Sequence, residues 1–152
     1  NEYFDGTYNI EALESFNQVI NRFPESKYVR DSEQKIILIK ENIAAKHMNI
    51  ALFYLNEKKY LAAMRRYKKV IDNHSQSKFV PEALHRLVEI YYSLGMIEDA
   101  KKTASVIAYN YPESEWYGYS YKLVGPNDDE KKEKKSFFNK FNNLILKNDD
   151  KK

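Results

Sequence analysis

"INRFPESKY" at positions 20–28 and "AYNYPESEW" at 108–116 set the same phrase twice into a chain of 152 residues that has only four prolines. Extended backwards, "EALESFNQVINRFPES" lies over "EDAKKTASVIAYNYPES", and "LAAMRRYKKVIDNHSQS" between them is a third copy. The aligned positions are Ala12, Ala63 and Ala100, then Phe16, Tyr67 and Ala104, then Val19, Val70 and Ile107. Pro24, Ser75 and Pro112 follow, then Ser26, Ser77 and Ser114, and Tyr28, Phe79 and Trp116 close each unit. Positions 0, +4 and +7 share one face of a helix. Proline ends such a helix, and a serine two residues later suits the N-cap of the next. Each phrase therefore reads as helix, corner, helix. His74-Ser75 replaces the aromatic-proline pair, so the middle corner is expected to be looser.

Composition agrees with an all-α reading. Gly and Pro number four each, while 43% of residues are hydrophobic and 31% charged. Few turn residues mean few, long elements, in a composition able to form a core. A second helix precedes each of the later copies. "HRLVEIYYSLGMIEDA" turns at Gly95, a left-handed C-cap, and "HMNIALFYLNEKKYLAA" makes the equivalent turn without glycine. Gly95, Ile97, Ala100 and Pro112, like Tyr60, Ala63 and Tyr67, resemble the pattern of tetratricopeptide (TPR) helical hairpins.

The copies are unevenly spaced. Ala63 to Ala100 is 37 residues, one ordinary repeat, whereas Ala12 to Ala63 is 51, which is 14 more. Fourteen residues are nearly four turns and can be added inside a helix without turning its face far. Residues 27–57 hold neither Gly nor Pro, and Val29, Ile36, Ile43 and Ile50 recur every seventh residue. One long helix through about 27–57 is predicted, bridging two repeats. The first copy starts near Asn9 without a partner helix, and the chain begins at Asn1 rather than Met. Both suggest a piece of a larger protein.

A unit ending in F/Y-P-x-S, an uninterrupted helix, then further units resembles the C-terminal half of the BamD family over about Asn9 to Val124. The most specific stretch is "ALESFNQVINRFPESKYVRDSEQKIILIKENIAAKHMNIALFYLNEKKYLAAMRRYKKVI". The resemblance implies a non-enzymatic scaffold on the periplasmic face of the bacterial outer membrane. It implies docking on the membrane-proximal POTRA domain of BamA and contact with other lipoproteins of the Bam complex. A lipidated N-terminal anchor would lie outside this chain.

Six basic residues and no acid fall between Lys58 and Lys69. Arg65, Arg66 and Lys69 share a helix surface beside Tyr67, with Lys59 close by. Arginine forks pair with carboxylates and stack on aromatics, so this surface is a candidate dock for an acidic partner. The plain alternative is a solvated helix face. The resemblance implies that Arg66 is the arginine facing BamA. A second candidate surface is Trp116 and Tyr117 within "SEWYGYSYKLVG", residue types enriched at interfaces but also suited to capping a solenoid end.

The remaining segments read as a repeat region over 1–124, a charged linker at 125–135, and an amphipathic helix and tail at 136–152. Phe137, Phe138, Phe141, Leu144 and Ile145 line one face of that helix. It suits a partner groove, a membrane surface or folding back on the repeats.

Other chemistries are poorly served. The chain has no cysteine, and its three histidines have no metal-ligand spacing, so neither metal nor cofactor is expected. There is no phosphate-binding glycine loop and no nucleophile elbow. Twenty-five basic against 22 acidic residues argue against nucleic acid. No apolar run approaches the ~20 residues of a membrane-spanning helix. Two alternatives to the scaffold remain. One is a generic periplasmic TPR adaptor of the Tol-associated type, which would lack the fused long helix. The other is a peripheral membrane binder acting through the tail, which liposome flotation with and without 136–152 would detect.

Overall fold

A computed structural model describes residues 2–125, with side chains from Tyr8 onward. The linker and amphipathic helix expected after Gly125, including Phe137, Phe138, Phe141, Leu144 and Ile145, lie outside the described residues. Six helices follow one another: α1 (Glu2–Arg22), α2 (Val29–Asn56), α3 (Tyr60–Asn73), α4 (Val80–Ser93), α5 (Ile97–Asn110) and α6 (Glu115–Val124). No strand interrupts them among the described residues. Each helix packs on its neighbour in sequence, and α4 also packs on α6. This is the all-α, TPR-like succession of hairpins, with α2/α3 and α4/α5 as the complete pairs.

The 28-residue α2 is the long helix predicted over about 27–57, and it packs on both α1 and α3. Its most buried positions are Ser32, Ile36, Ala44, Met48 and Ala51. Of the heptad Val29, Ile36, Ile43 and Ile50, only Ile36 is buried, while the other three are half-buried. Small residues allow close approach of α3, so the seam follows Ala44 and Ala51 and leaves the larger isoleucines at its margin.

The three corners are built alike. Phe23, His74 and Tyr111 each donate a backbone N–H four residues back, to Val19, Val70 and Ile107. Ser26, Ser77 and Ser114 then donate N–H groups to the carbonyls of Phe23, His74 and Tyr111 at 2.8–3.1 Å. Each serine hydroxyl accepts from the N–H two residues on, that of Tyr28, Phe79 or Trp116. The corner at His74-Ser75 is thus no looser than the others, because backbone and serine hydrogen bonds define it and proline only suits it. Only Ser114 is a formal N-cap. After Ser26 and Ser77 a further turn intervenes, and regular helix starts at Val29 and Val80.

The two hairpin tips also match. Lys59 N–H reaches the Tyr54 carbonyl and Met96 N–H that of Tyr91, both at 2.8 Å. The residue at the bend is left-handed in each, Gly95 at φ 75° and Lys58 at φ 56°. A side chain in that conformation is strained, so Lys58→Gly is expected to raise stability by about 0.5–1 kcal/mol. Gly95→Ala is expected to lower it by a similar amount. Urea unfolding midpoints measured on both variants test the pair.

The core runs through the two complete hairpins. Ala63, Tyr67 and Val70 of α3 are all buried, as are Ala100 and Ile107 of α5. They meet Ala83, Leu87, Val88 and Ile90 of α4, and Ala44, Met48 and Ala51 of α2. The equivalent Ala12, Phe16 and Val19 of α1 are only half-buried.

Candidate docking surface on the second hairpin

Helix α3 divides its residues between two faces. The period that sends Ala63, Tyr67 and Val70 inward turns Arg65 and Lys69 outward, one turn apart and exposed. Arg66 stands at the boundary, partly buried against α2. Its Nη1 lies 3.3 Å from Nδ1 of His47 on α2. Lys59 is exposed at the hairpin tip, its Nζ 3.9 Å from a Glu57 carboxylate oxygen. An exposed pair at that distance contributes little. Arg65, Arg66 and Lys69 therefore form one basic surface, with Lys59 two turns away at the tip.

Tyr67 does not belong to that surface. It is 1% exposed and sits in the core against α4, so no partner can touch it without unfolding the hairpin. Burial pushes its phenol up to about 12.

His47 and His74, which spacing does not single out, lie beside this basic surface. Their ring centroids are 6.1 Å apart, one ring from mid-α2 and the other from the corner after α3. Burial lowers the basicity of His47, and Arg66, Lys69, His74 and Lys46 lower it further. Burial also lowers that of His74; Lys40 adds to the effect and Glu41 opposes it. His74 Nδ1 is buried without a hydrogen-bond partner. The Glu41 carboxylate ties α2 to the corner, accepting from Ser77 Oγ at 3.2 Å and from the Lys78 N–H at 3.3 Å.

Trp116 and Tyr117 occupy a different region, on α6, and both are half-buried. The Arg86 guanidinium lies 5.5 Å from the centre of the Trp116 ring, and the His85 ring lies 5.3 Å from it. Tyr117 packs on the core. Beneath Trp116, His85 Nδ1 and Ser120 Oγ are 2.8 Å apart, both residues being buried. On its other side, His85 Nε2 lies 3.5 Å from Glu89, which also accepts from Arg86 at 2.9 Å. These two bonds hold the Glu89 carboxyl below the usual carboxylate range. A serine, histidine and glutamate in a row suggest hydrolytic chemistry, but Ser120 is 0% exposed and no substrate can reach its hydroxyl. The row fastens α6 to α4. Among the described residues no cluster of three or more His, Cys, Asp or Glu could hold a metal, and no helix is long and apolar enough to cross a membrane.

The family model described as "YfiO: Outer membrane lipoprotein" matches residues 1–117. The chain is 49% identical over 113 residues to the outer membrane protein assembly factor BamD of Rickettsia prowazekii (strain Madrid E), covering 74% of this chain and 45% of that protein. It is 38% identical over 117 residues to the protein of the same name from Caulobacter vibrioides, covering 77% and 38%. To that of Neisseria meningitidis serogroup A it is 31% identical over 110 residues, covering 72% and 41%. The matched region spans less than half the length of each of these relatives.

Proposed function

Because the chain belongs to the YfiO family of outer membrane lipoproteins, we propose that it is a non-catalytic docking region of an outer membrane protein assembly factor. Its partner is the membrane-proximal POTRA domain of BamA, engaged through the basic surface of α3, and other lipoproteins of the same complex contact the hairpins. The region works at the periplasmic face of the outer membrane.

The observation that carries this reading is the disposition of Arg66. Its guanidinium is partly desolvated on the seam between α2 and α3, flanked by exposed Arg65 and Lys69, with no acid from Lys58 to Lys69. A planar fork held in place loses less freedom on meeting a carboxylate than a solvated lysine does. Loss of a desolvated interfacial charge typically costs ~2–5 kcal/mol, against little for a rim charge. Arg66→Glu is accordingly expected to weaken binding of the cognate POTRA domain at least about tenfold, which is about 1.4 kcal/mol. Arg65→Glu, on the exposed rim, should act chiefly through association rate and salt dependence. Calorimetric titration of the 152-residue chain and both variants tests this. Equal affinity for native protein and Arg66→Glu would move the dock elsewhere on the chain. Absence of any binding by the folded native chain would remove the POTRA partner altogether.

A further inference from the structure

The hydrogen bond between Arg66 and His47 has a fixed direction. A guanidinium can only donate, so His47 Nδ1 must offer a lone pair. The ring is therefore neutral, with its proton on Nε2. Every charged or titratable group acting on it is basic: Arg66 and Lys69 from α3, His74 from the following corner, and Lys46 from its own helix. The carboxylate of Glu41 acts on His74 and is already engaged by Ser77 and the Lys78 N–H. His47 thus stands uncharged among basic groups as an acceptor for Arg66, and beside it His74 keeps a buried Nδ1 unpartnered, its basicity lowered by burial. That arrangement answers to the arrival of negative charge.

We infer that His47 is a proton-linked member of the docking surface: when an acidic partner engages Arg66 and Lys69, the guanidinium leaves His47 and the imidazole takes up a proton from solvent. This rests on the docking reading above. A partner carboxylate replaces cation–cation repulsion by attraction and frees Nδ1 to become a donor. The ring then holds a proton more tightly in the complex than in the free chain. Linkage fixes the sign. A state that binds more protons is favoured as pH falls, so docking tightens on acidification, by at most about tenfold per pH unit for each proton taken up. His74, 6.1 Å away, supplies the second, smaller contribution.

Calorimetric titration of the chain with the POTRA domain, repeated near pH 6.5 in buffers of different ionisation enthalpy, reads the uptake directly. About 0.3–1 proton per complex is expected, with roughly three- to tenfold tighter binding at pH 6.0 than at pH 7.5. His47→Gln has no proton to accept and should lose most of the uptake; His47→Asn provides a second variant should the first fold poorly by circular dichroism. Uptake equal in native and variant chains, or no uptake at all, overturns the inference. If the POTRA domain does not bind, the docking reading fails. NMR titration of the His47 ring in the chain alone then decides whether the coupling exists. Its midpoint should rise in Arg66→Gln and on adding a short polyglutamate peptide, and a midpoint unmoved by both also overturns it.

Discussion

Tyr67→Ala will lower the stability of the chain by about 3–5 kcal/mol, the range for truncating a large aromatic side chain in a packed core. Tyr67 is the largest side chain among the fully buried residues and lies where α3 meets α4. Its neighbours cannot collapse into the space it leaves. Ala63 on α3 and Ala83 on α4 are already as small as side chains become, and the corner between these helices is fixed by hydrogen bonds. Urea unfolding followed by circular dichroism measures the loss directly. A fall of under 1 kcal/mol would mean that α3 and α4 repack, and that the seam is less well fixed than its alanines indicate. Tyr67→Phe keeps the ring and separates the hydroxyl. The buried phenol is raised to about 12 by desolvation, so the unfolded chain releases this proton first as pH rises past ~10. Its contribution is complete below that pH and declines as pH rises through about 12. The phenylalanine variant should lack this alkaline loss in unfolding titrations between pH 9 and 11.

The fastening of α6 gives the second large effect. His85→Ala removes the partner of a hydroxyl that is 0% exposed, and it opens a gap beneath the Trp116 ring. Leaving a buried polar group unpaired costs about 1–3 kcal/mol, and lost packing adds to this. Trp116 is the only tryptophan, so its fluorescence reports the local environment while circular dichroism reports the whole. We expect the single variant to lose about 2–4 kcal/mol and its fluorescence to shift to longer wavelength. The double variant His85→Leu/Ser120→Ala replaces both polar partners by apolar groups and should recover most of that loss. Failure of the second substitution to recover any of it would show that packing of the His85 ring against Trp116 and against Tyr119, whose ring centre is 5.9 Å away, rather than the hydrogen bond, fixes α6.

The architecture was legible because its signals are local and repeated. Three serines each 14 residues after an alanine that opens a helix face, and 31 residues without a breaker, are visible in one dimension. What escaped was set by neighbours. The heptad Val29, Ile36, Ile43 and Ile50 marks α2 as one helix but not its most buried line, where close approach places Ala44 and Ala51. The corner at His74 looked weak because proline was missing, while the serine and the backbone supplied its hydrogen bonds. The candidate docking surface divided in the same way. Arg65, Arg66 and Lys69 follow from helical spacing, as Tyr67's burial should have done, since it shares the period of Ala63 and Val70. His47 is 19 residues from Arg66. Folding the chain about the left-handed bend at Lys58 brings the two opposite one another, so a hairpin drawn from the sequence could have paired them. The charge states of His47 and His74 depend on burial and on cations from separate elements, which no spacing encodes.

Helix α2 has a mechanical consequence. It is one rigid bar of 28 residues, about 42 Å long at 1.5 Å per residue, and it is a structural member of the hairpins on both sides. In a regular array the joint between neighbouring units can flex. Here that joint lies inside a continuous hydrogen-bonded rod, so bending must be taken up elsewhere. A tilt of about 5° imposed where α1 meets the bar moves its far end by roughly 4 Å, comparable with the reach of a hydrogen bond. The bar is a lever whose far end carries the bend at Lys58, and the basic surface of α3 lies opposite His47, roughly 27 Å along it from Val29.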